Sequence, residues 1–194
     1  MALMHLGEMA TNKTLVFKRK YRWTFELRWA NAGRSTGQQF VKVASRPNLT
    51  IEETEINYLH GKMWIPGKAS WETITVTYYD VANAGQGGLQ EIYAWLASIY
   101  NFQDTGEDMM KQTTVQGELG SGGWAGEGSL DMYDGCGTSL ENWLLKGVWP
   151  SAVNFGDLDY SSSEEATIEL TLRYYQAIYT PYCDVPQQPR CVGC

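Results

Sequence analysis

The sequence predicts a mainly β protein, an antiparallel β-sandwich or barrel with one flanking α-helix. Several segments alternate apolar and polar residues, as a strand with one buried face does. Only one segment has the period of an amphipathic helix. No strand–helix–strand repeat occurs, which argues against a parallel sheet.

The composition is that of one globular domain. The chain has 194 residues, of which 43% are hydrophobic and 19% are charged. This is enough apolar material for a core and too little charge for a disordered chain. No run of about 18 apolar residues occurs, so we expect no transmembrane helix and no membrane anchor. The first residues lack a secretory signal pattern, and we expect the protein to be made in the cytoplasm.

We divide the chain into an N-terminal extension (1–14), a β domain (15–180) and a tail rich in cysteine and proline (181–194). The β domain begins with a strand predicted from Leu15 to Trp29, where aromatic and aliphatic residues alternate with polar ones. Turn residues at 31–37 precede an apolar stretch from Phe40 to Val43, and together they predict a hairpin.

The next segments predict a strand, a turn and a second strand. Leu49 to Tyr58 predicts a strand with a wet, acidic face, because Glu53 and Glu55 share one side. Proline and glycine are adjacent in Trp64 to Gly67, which predicts a turn. Trp71 to Tyr79 is rich in β-branched residues and predicts a strand.

The only helix is predicted over about 89–102, where apolar residues recur at helical spacing. Seven glycines within 105–128 predict a long loop or a loose hairpin. Leu130 to Tyr160 is a run of short apolar pieces broken by glycines and a proline. Ala166 to Tyr174 alternates cleanly and predicts the closing strand.

The charge is distributed unevenly. Residues 1–70 contain 11 Lys plus Arg and 5 acids, a net charge of +6, whereas residues 71–194 contain 4 and 17, a net charge of −13. A basic end and an acidic end could bind nucleic acid, or could bind copies of the chain head to tail. A solvated surface with uneven charge explains the pattern equally well.

No catalytic, metal or cofactor site is predicted. The only histidines are His5 and His60, and neither has the partners of a catalytic triad. No phosphate-binding loop or dinucleotide motif is present. The aspartates near Asp131 and Asp157 lack the spacing of a calcium loop. Turn aspartates commonly bond their own backbone instead.

Eight tryptophans and twelve tyrosines could form a stacking platform for a carbohydrate or a single-stranded nucleic acid. Most of them lie on the apolar side of a predicted strand or helix, so core packing is the stronger interpretation.

Three of the four cysteines lie close to the C-terminus beside prolines: Cys183, Cys191 and Cys194. Cys191 and Cys194 have the spacing of a redox or zinc pair, but zinc needs about four ligands and no second pair accompanies them. We favour cross-linking after the protein leaves the reducing cytoplasm. Cys136 is a weaker candidate for such a cross-link than the other three cysteines, because its loop could be buried.

Two ordered blocks of residues carry a resemblance to a known family. The first is Trp64 to Gly67 followed by Trp71 to Thr77, and the second runs from Trp143 through Trp149 and Pro150 to Asn154–Ser161. Together they resemble the tail tube proteins of contractile-tailed, T4-like bacteriophages. The resemblance covers about residues 15–180. The cysteine tail and the glycine-rich stretch 117–128 depart from the family pattern.

The resemblance implies that each subunit donates strands to a ring, commonly a hexamer, whose strands close into one inner β-barrel. Rings would stack head to tail into a tube inside a contractile sheath, and the protein would catalyse nothing. The implied partners are copies of itself, the tail sheath protein, the baseplate and tail terminator proteins, and the tape measure protein. DNA would then pass through the lumen without sequence-specific binding. The implied location is the phage tail of the virion, assembled in the host cytoplasm.

On this interpretation, the two blocks hold determinants of fold and assembly. They are Pro66, Gly67, Trp71, Trp143, Gly147, Trp149, Pro150, Phe155, Asp157, Asp159 and Tyr160. A lumen with carboxylates would repel DNA phosphates, and the candidates for its wall are Glu53, Glu55 and Glu169. The cysteines are candidates for disulfides that stiffen the assembled tube.

Two other functions stay open at this point. A tube subunit of a phage-related contractile injection particle would have the same architecture but would deliver protein. A monomeric carbohydrate-binding β-sandwich would also use many aromatic residues. A hydrolase with a carboxylate pair ranks last, since no pair can be nominated among the turn acids.

Overall fold

The fold is seen in a computed structural model, which describes residues 18–29, 34–36, 38–82, 89–100, 102 and 124–181. Its first strands are β1 (Trp23–Trp29), β2 (Arg34–Ser35), β3 (Val41–Ala44), β4 (Leu49–Tyr58), β5 (Gly61–Trp71) and β6 (Ile74–Tyr79). A 3-10 turn (Gln38–Phe40) precedes β3. The helix α1 (Leu89–Ile99) is followed by β7 (Gly126–Tyr133), β8 (Ser139–Asn154), β9 (Thr167–Arg173) and β10 (Gln176–Pro181).

Eight of these strands form one sheet, in the order β2-β1-β7-β8-β9-β6-β3, with β10 also paired to β8. Every pairing is antiparallel. Among the described strands, β4 and β5 pair only with each other and form a separate hairpin. The predicted class, mainly β and antiparallel with one helix, is confirmed.

The long strand β8 changes partners along its length. Its first half pairs with β7 and β10, and its second half pairs with β9. Gly147 lies at the change, with a φ of 66° that favours glycine. A glycine in this conformation is typical of a bulge, which bends a strand and increases its twist. The bend lets the sheet fold over on itself.

The core lies between the two halves of this folded sheet. Alternate residues of β1, β6 and β9 are buried, as their sequence pattern predicts. These side chains form one cluster with residues of β7, β8 and α1. Trp95 of α1 stacks on Trp29 of β1, with ring centroids 5.0 Å apart.

Buried polar contacts also join the two halves. The backbone N–H of Leu27 in β1 donates to the Thr36 hydroxyl, which lies 3.3 Å from the hydroxyl of Tyr78 in β6. Thr36 and Tyr78 are both fully buried. Burial raises the pKa of Tyr78 well above its usual range, because a phenolate could not be solvated there.

Several predicted boundaries are wrong. The strand expected over Leu15 to Trp29 begins only at Trp23, because residues 20–22 form a turn or bend, and residues 15–17 lie outside the described part. The helix expected to residue 102 ends at Ile99. Strand β7 begins at Gly126, so the end of the expected loop 105–128 is strand, and most of that loop lies outside the described residues.

The expected turn at Trp64 to Gly67 is also wrong, because these residues lie within β5. The chain reverses earlier, at Leu59 and His60. Pro66 fits because the ladder is irregular beside it: Gly67 and Lys68 together oppose the single residue Glu52. A proline is tolerated at such a bulge, where a ladder hydrogen bond is already missing.

Replacing Gly147 by alanine should destabilise the fold. A Cβ there would overlap the Tyr175 ring, and a φ of 66° is unfavourable for alanine. We expect the free energy of unfolding in urea to fall by at least about 2 kcal/mol. Gly137→Ala is the matched control, because Gly137 also has a positive φ but nothing within 4 Å of its Cβ position. Equal losses in the two variants would contradict this account of the bend.

Tyr78 should make the fold sensitive to alkaline pH. Its pKa is raised in the folded protein, so the folded chain keeps a proton that the unfolded chain releases above about pH 10. Its contribution to stability is therefore complete below pH 10 and is lost as the pH rises further. Urea unfolding between pH 8 and about 11 should show a smaller decline for Tyr78→Phe than for the wild type. Parallel declines would contradict the assignment.

Candidate functional site

The β4–β5 hairpin exposes more large apolar side chains than any other element of the described chain. Nearly every residue from Leu49 to Ser70 is exposed. The large apolar ones are Leu49, Ile51, Ile56, Tyr58, Leu59, Met63, Trp64 and Ile65. An isolated two-stranded hairpin is at best marginally stable in water, and a contiguous apolar surface of this kind marks an interaction site.

The register of the hairpin divides these side chains between its two faces. Ile56 lies opposite Met63, and Thr54 lies opposite Ile65, so one face is an apolar patch near the tip. The other face carries Leu49, Ile51 and Trp64 together with Glu53 and Glu55, two of the three predicted glutamates. Neither face packs on the core, and each is available to another molecule.

The tip of the hairpin combines strain with an exposed apolar side chain. Leu59 has a φ of 49°, the only positive φ among the described non-glycine residues. This conformation favours glycine or asparagine. The Leu59 side chain is 86% exposed, so packing within the chain does not explain why leucine is used. A strained position of this kind supports a functional role for the side chain.

The structure does not bring the three predicted glutamates together. Glu53 is exposed in the hairpin, opposite Pro66. Glu55 is half-buried, and its carboxylate accepts from the Lys62 ammonium at 2.7 Å, so its charge is partly neutralised. Glu169 lies in the large sheet, exposed on β9 and paired in register with Thr77.

The predicted tryptophans lie where the hairpin and the strand β8 meet the body. Trp71, at the base of the hairpin, contacts the Tyr174 ring at 5.9 Å between centroids. Trp143 contacts Tyr179, and Trp149 meets Trp124 edge to face. Pro150 is buried in β8, where the register with β9 shifts. These residues belong to the fold, whereas Pro66 lies beside the bulge of the hairpin and Gly67 is part of it.

The other motif residues lie in a loop between β8 and β9, residues 155–166, which we call the acidic loop. All twelve of its residues are exposed. Among them are the four predicted residues of the block, Phe155, Asp157, Asp159 and Tyr160. Ser161 donates to Asp159 through its backbone N–H and its hydroxyl, and these hydrogen bonds lower the pKa of the Asp159 carboxyl.

The remaining predicted groups are only partly visible. Cys136 is half-buried in the turn between β7 and β8, where its backbone N–H donates to the Asp134 carboxylate at 2.8 Å. Cys183, Cys191 and Cys194 lie outside the described residues. No group of three metal-ligating side chains occurs in the described part of the chain. None of the helices described there has the length and hydropathy needed to cross a bilayer.

Sequence reasoning missed a buried carboxylate and the basic surface around it. Glu141 of β8 is only 4% exposed, and its carboxylate pairs with the Lys18 ammonium and, at 2.5 Å, with the Arg46 guanidinium. The excess of basic residues in the N-terminal third was a signal for this surface. Nothing in the strand pattern around Glu141 singles it out.

Comparison with known proteins finds solved structures of similar fold but no related sequence. No protein-family model matches the sequence, and no curated protein does either. One similar chain occurs in the cryo-EM structure of the anti-feeding prophage (AFP) baseplate, 6-fold symmetrised. The two chains have a TM-score of 0.65 and 12% sequence identity, and the match covers 87% of this chain and 99% of that one. The fold is therefore one that a chain of this baseplate structure shares.

Two further structures show the same similarity. One is the anti-feeding prophage cap, the AFP tube terminating cap, with a TM-score of 0.61, 16% identity and coverage of 89% and 97%. The other is the sheath-tube complex of an extracellular contractile injection system, PVC, in the extended state, with a TM-score of 0.58, 15% identity and coverage of 92% and 99%. At these identities the similarity establishes the fold.

Removing the charge of Glu141 should destabilise the protein. Glu141→Gln keeps the shape of the side chain but leaves Lys18 and Arg46 without their carboxylate. Both cations are partly exposed and can recover some hydration, so we expect a loss of about 1 to 2 kcal/mol in urea unfolding. Glu169→Gln, on an exposed position, should change stability by less than about 0.5 kcal/mol. Similar losses in the two variants would contradict a structural role for the Glu141 ion pairs.

Proposed function

We propose that the protein is a structural subunit that assembles with copies of itself into stacked rings, forming the hollow tube of a contractile assembly. The observation that carries the proposal is the β4–β5 hairpin, which exposes apolar side chains on both faces. The shared fold adds support, since similar chains occur in a baseplate, a tube terminating cap and a sheath-tube complex. The proposed role is mechanical and requires no catalysis.

Ring assembly explains why such a hairpin persists in a protein that must stay soluble before assembly. An unpaired apolar ribbon invites uncontrolled association. A closed ring makes the association finite, because each copy donates the surface that its neighbour accepts. Tyrosine and tryptophan are also the residues most often used as anchors in interfaces, and the hairpin exposes Tyr58 and Trp64.

The finer assignment is the tail tube of a contractile-tailed phage, through which DNA passes after the tape measure protein leaves. It is supported by the sequence blocks at Trp64–Thr77 and Trp143–Ser161. The alternative, a tube of an extracellular injection particle, is favoured by the assemblies in which similar chains occur. Genes for a capsid and a packaging motor beside the gene of this protein would decide for the phage. In either case the proposed partners are a sheath protein, a baseplate and a tube terminator.

The wall of the proposed channel would carry carboxylates. Glu53 and Glu169 are exposed carboxylates, and either could face a lumen through which DNA must slide without binding. Glu55 would contribute less, because Lys62 lies beside it. Disulfides between copies through the C-terminal cysteines stay a prediction from the sequence.

Electron microscopy of the purified protein tests the proposal, together with its elution volume on a sizing column. We expect rings or hollow tubes. Two variants should prevent their formation without unfolding the protomer. Leu59→Gly removes the apolar tip and relieves its strained φ, and Met63→Lys places a charge in the apolar patch.

The controls make matching changes outside the hairpin: Val81→Gly and Ala82→Lys, at exposed positions after β6. They should assemble like the wild type. Assembly of the hairpin variants at wild-type level would contradict the role of the hairpin. A wild-type protein that stays monomeric and shows sugar-dependent quenching of tryptophan fluorescence would instead identify a carbohydrate-binding module.

A further inference from the structure

A basic cleft opens beside the buried Glu141. It has a volume of about 530 Å³, and four cationic side chains line it: Lys18, Lys20, Lys42 and Arg46. Its floor is apolar and includes Trp23, Leu130 and Met132. Among the residues that the structure describes, no acidic one lines the cleft. A surface that combines several cations with an apolar floor suits a ligand that carries both carboxylates and apolar side chains.

Within the described part of the chain, the cations of the cleft are only partly neutralised. Glu141 pairs with Lys18 and Arg46, so the four cations and this one carboxylate have a net charge of 4 − 1 = +3. Among the described residues, no carboxylate forms an ion pair with Lys20 or Lys42. The Lys42 ammonium lies 5.2 Å from the centroid of the Tyr79 ring. Two cations therefore remain for an incoming anionic group.

The acidic loop has the complementary composition. It contains Asp157, Asp159, Glu164 and Glu165 and no basic residue, so its net charge is −4. Its apolar side chains point into solvent: Leu158 is 90% exposed, and Phe155 and Tyr160 are exposed as well. Exposed apolar residues between carboxylates match a cleft that has an apolar floor between cations.

The backbone of the loop is already held in shape. Gly156 donates its N–H to the Asn154 side chain at 3.0 Å, and Ser161 donates to Asp159 at 2.9 Å. Glu164 donates its N–H to the Ser162 hydroxyl at 3.2 Å. Local hydrogen bonds of this kind reduce the entropy lost on docking. The exposed side chains are therefore presented on a loop that needs little further ordering.

We propose that the basic cleft of one copy binds the acidic loop of a second copy. Within a single chain, every residue of the loop is exposed, so the loop does not fill its own cleft. A donor and an acceptor at different places on one chain give a head-to-tail contact, which generates rings or filaments. This inference rests on the proposed self-assembly and names two surfaces that make it.

A synthetic peptide of residues 153–167 tests the contact without requiring tubes. We expect it to bind the protein, measured by anisotropy of a labelled peptide, and to bind more weakly at high salt. Lys20→Glu with Lys42→Glu should reduce the affinity at least about tenfold. These changes leave the Glu141 ion pairs intact. Equal binding to both proteins would overturn the proposal, and so would tighter binding of a single-stranded DNA oligonucleotide, which would make the cleft a nucleic-acid site.

A charge exchange tests the contact between whole chains. The cleft variant Lys20→Glu/Lys42→Glu changes the charge of the cleft from +3 to +3 − 4 = −1, and the loop variant Asp157→Lys/Glu164→Lys/Glu165→Lys changes that of the loop from −4 to −4 + 6 = +2 while sparing Asp159. Each variant should fail to assemble alone. Their mixture should assemble, because the acidic cleft of the first variant can bind the basic loop of the second, and the basic cleft of the second can bind the acidic loop of the first. Asp80→Lys, at an exposed position after β6, is the control and should assemble alone. A mixture that fails while the wild type forms rings overturns the cleft–loop contact and leaves the proposed function standing. If the wild type forms no rings, the proposed function fails and the peptide experiment still decides the contact.

Discussion

In the part of the chain that the structure describes, the β4–β5 hairpin has no third strand beside it and no core against it, yet both of its faces carry large apolar side chains. Water is a poor environment for such a ribbon, and its stability must come from elsewhere. The Glu72 backbone N–H donates to the Asn48 carbonyl and closes the base of the hairpin, and Trp71 meets Tyr174 of the body there. Everything beyond that base requires a partner molecule, and the proposed assembly follows from this requirement.

The body of the protein is a folded sheet with a packed core, and the hairpin extends from it. The bend of β8 at Gly147 lets one strand belong to both halves of the folded sheet, and the core and the Thr36–Tyr78 contact then join the halves. The hairpin, the acidic loop and the basic cleft are all attached to this sheet. The chain thus separates a buried core from three surfaces that are open to a partner molecule.

Much of this fold could be predicted from the sequence, because alternation marks a half-buried strand and the period of α1 marks a helix packed on one side. The prediction fails where a proline or a glycine, which usually ends a strand, is tolerated inside one. Pro66 predicts a turn, but it lies in a bulged strand whose missing hydrogen bond costs nothing extra. Gly147 and Pro150 predict short separate pieces, but they lie where one long strand changes partners.

The site was less predictable. The wet face of β4 follows from its sequence, but the pairing of Glu55 with Lys62 needs the register of the hairpin. The basic cleft is formed by residues far apart in the chain, such as Lys18, Arg46 and Met132, and only the tertiary fold brings them together.

Hydrogen exchange of the hairpin amides, measured in dissociated protomers and in assembled particles, tests the central claim most directly. The account predicts rapid exchange over residues 49–71 in the protomer and exchange at least about tenfold slower in the assembly, while the buried strand β9 changes little. Equal exchange of the hairpin in the two states would show that assembly does not cover it, and would contradict the account.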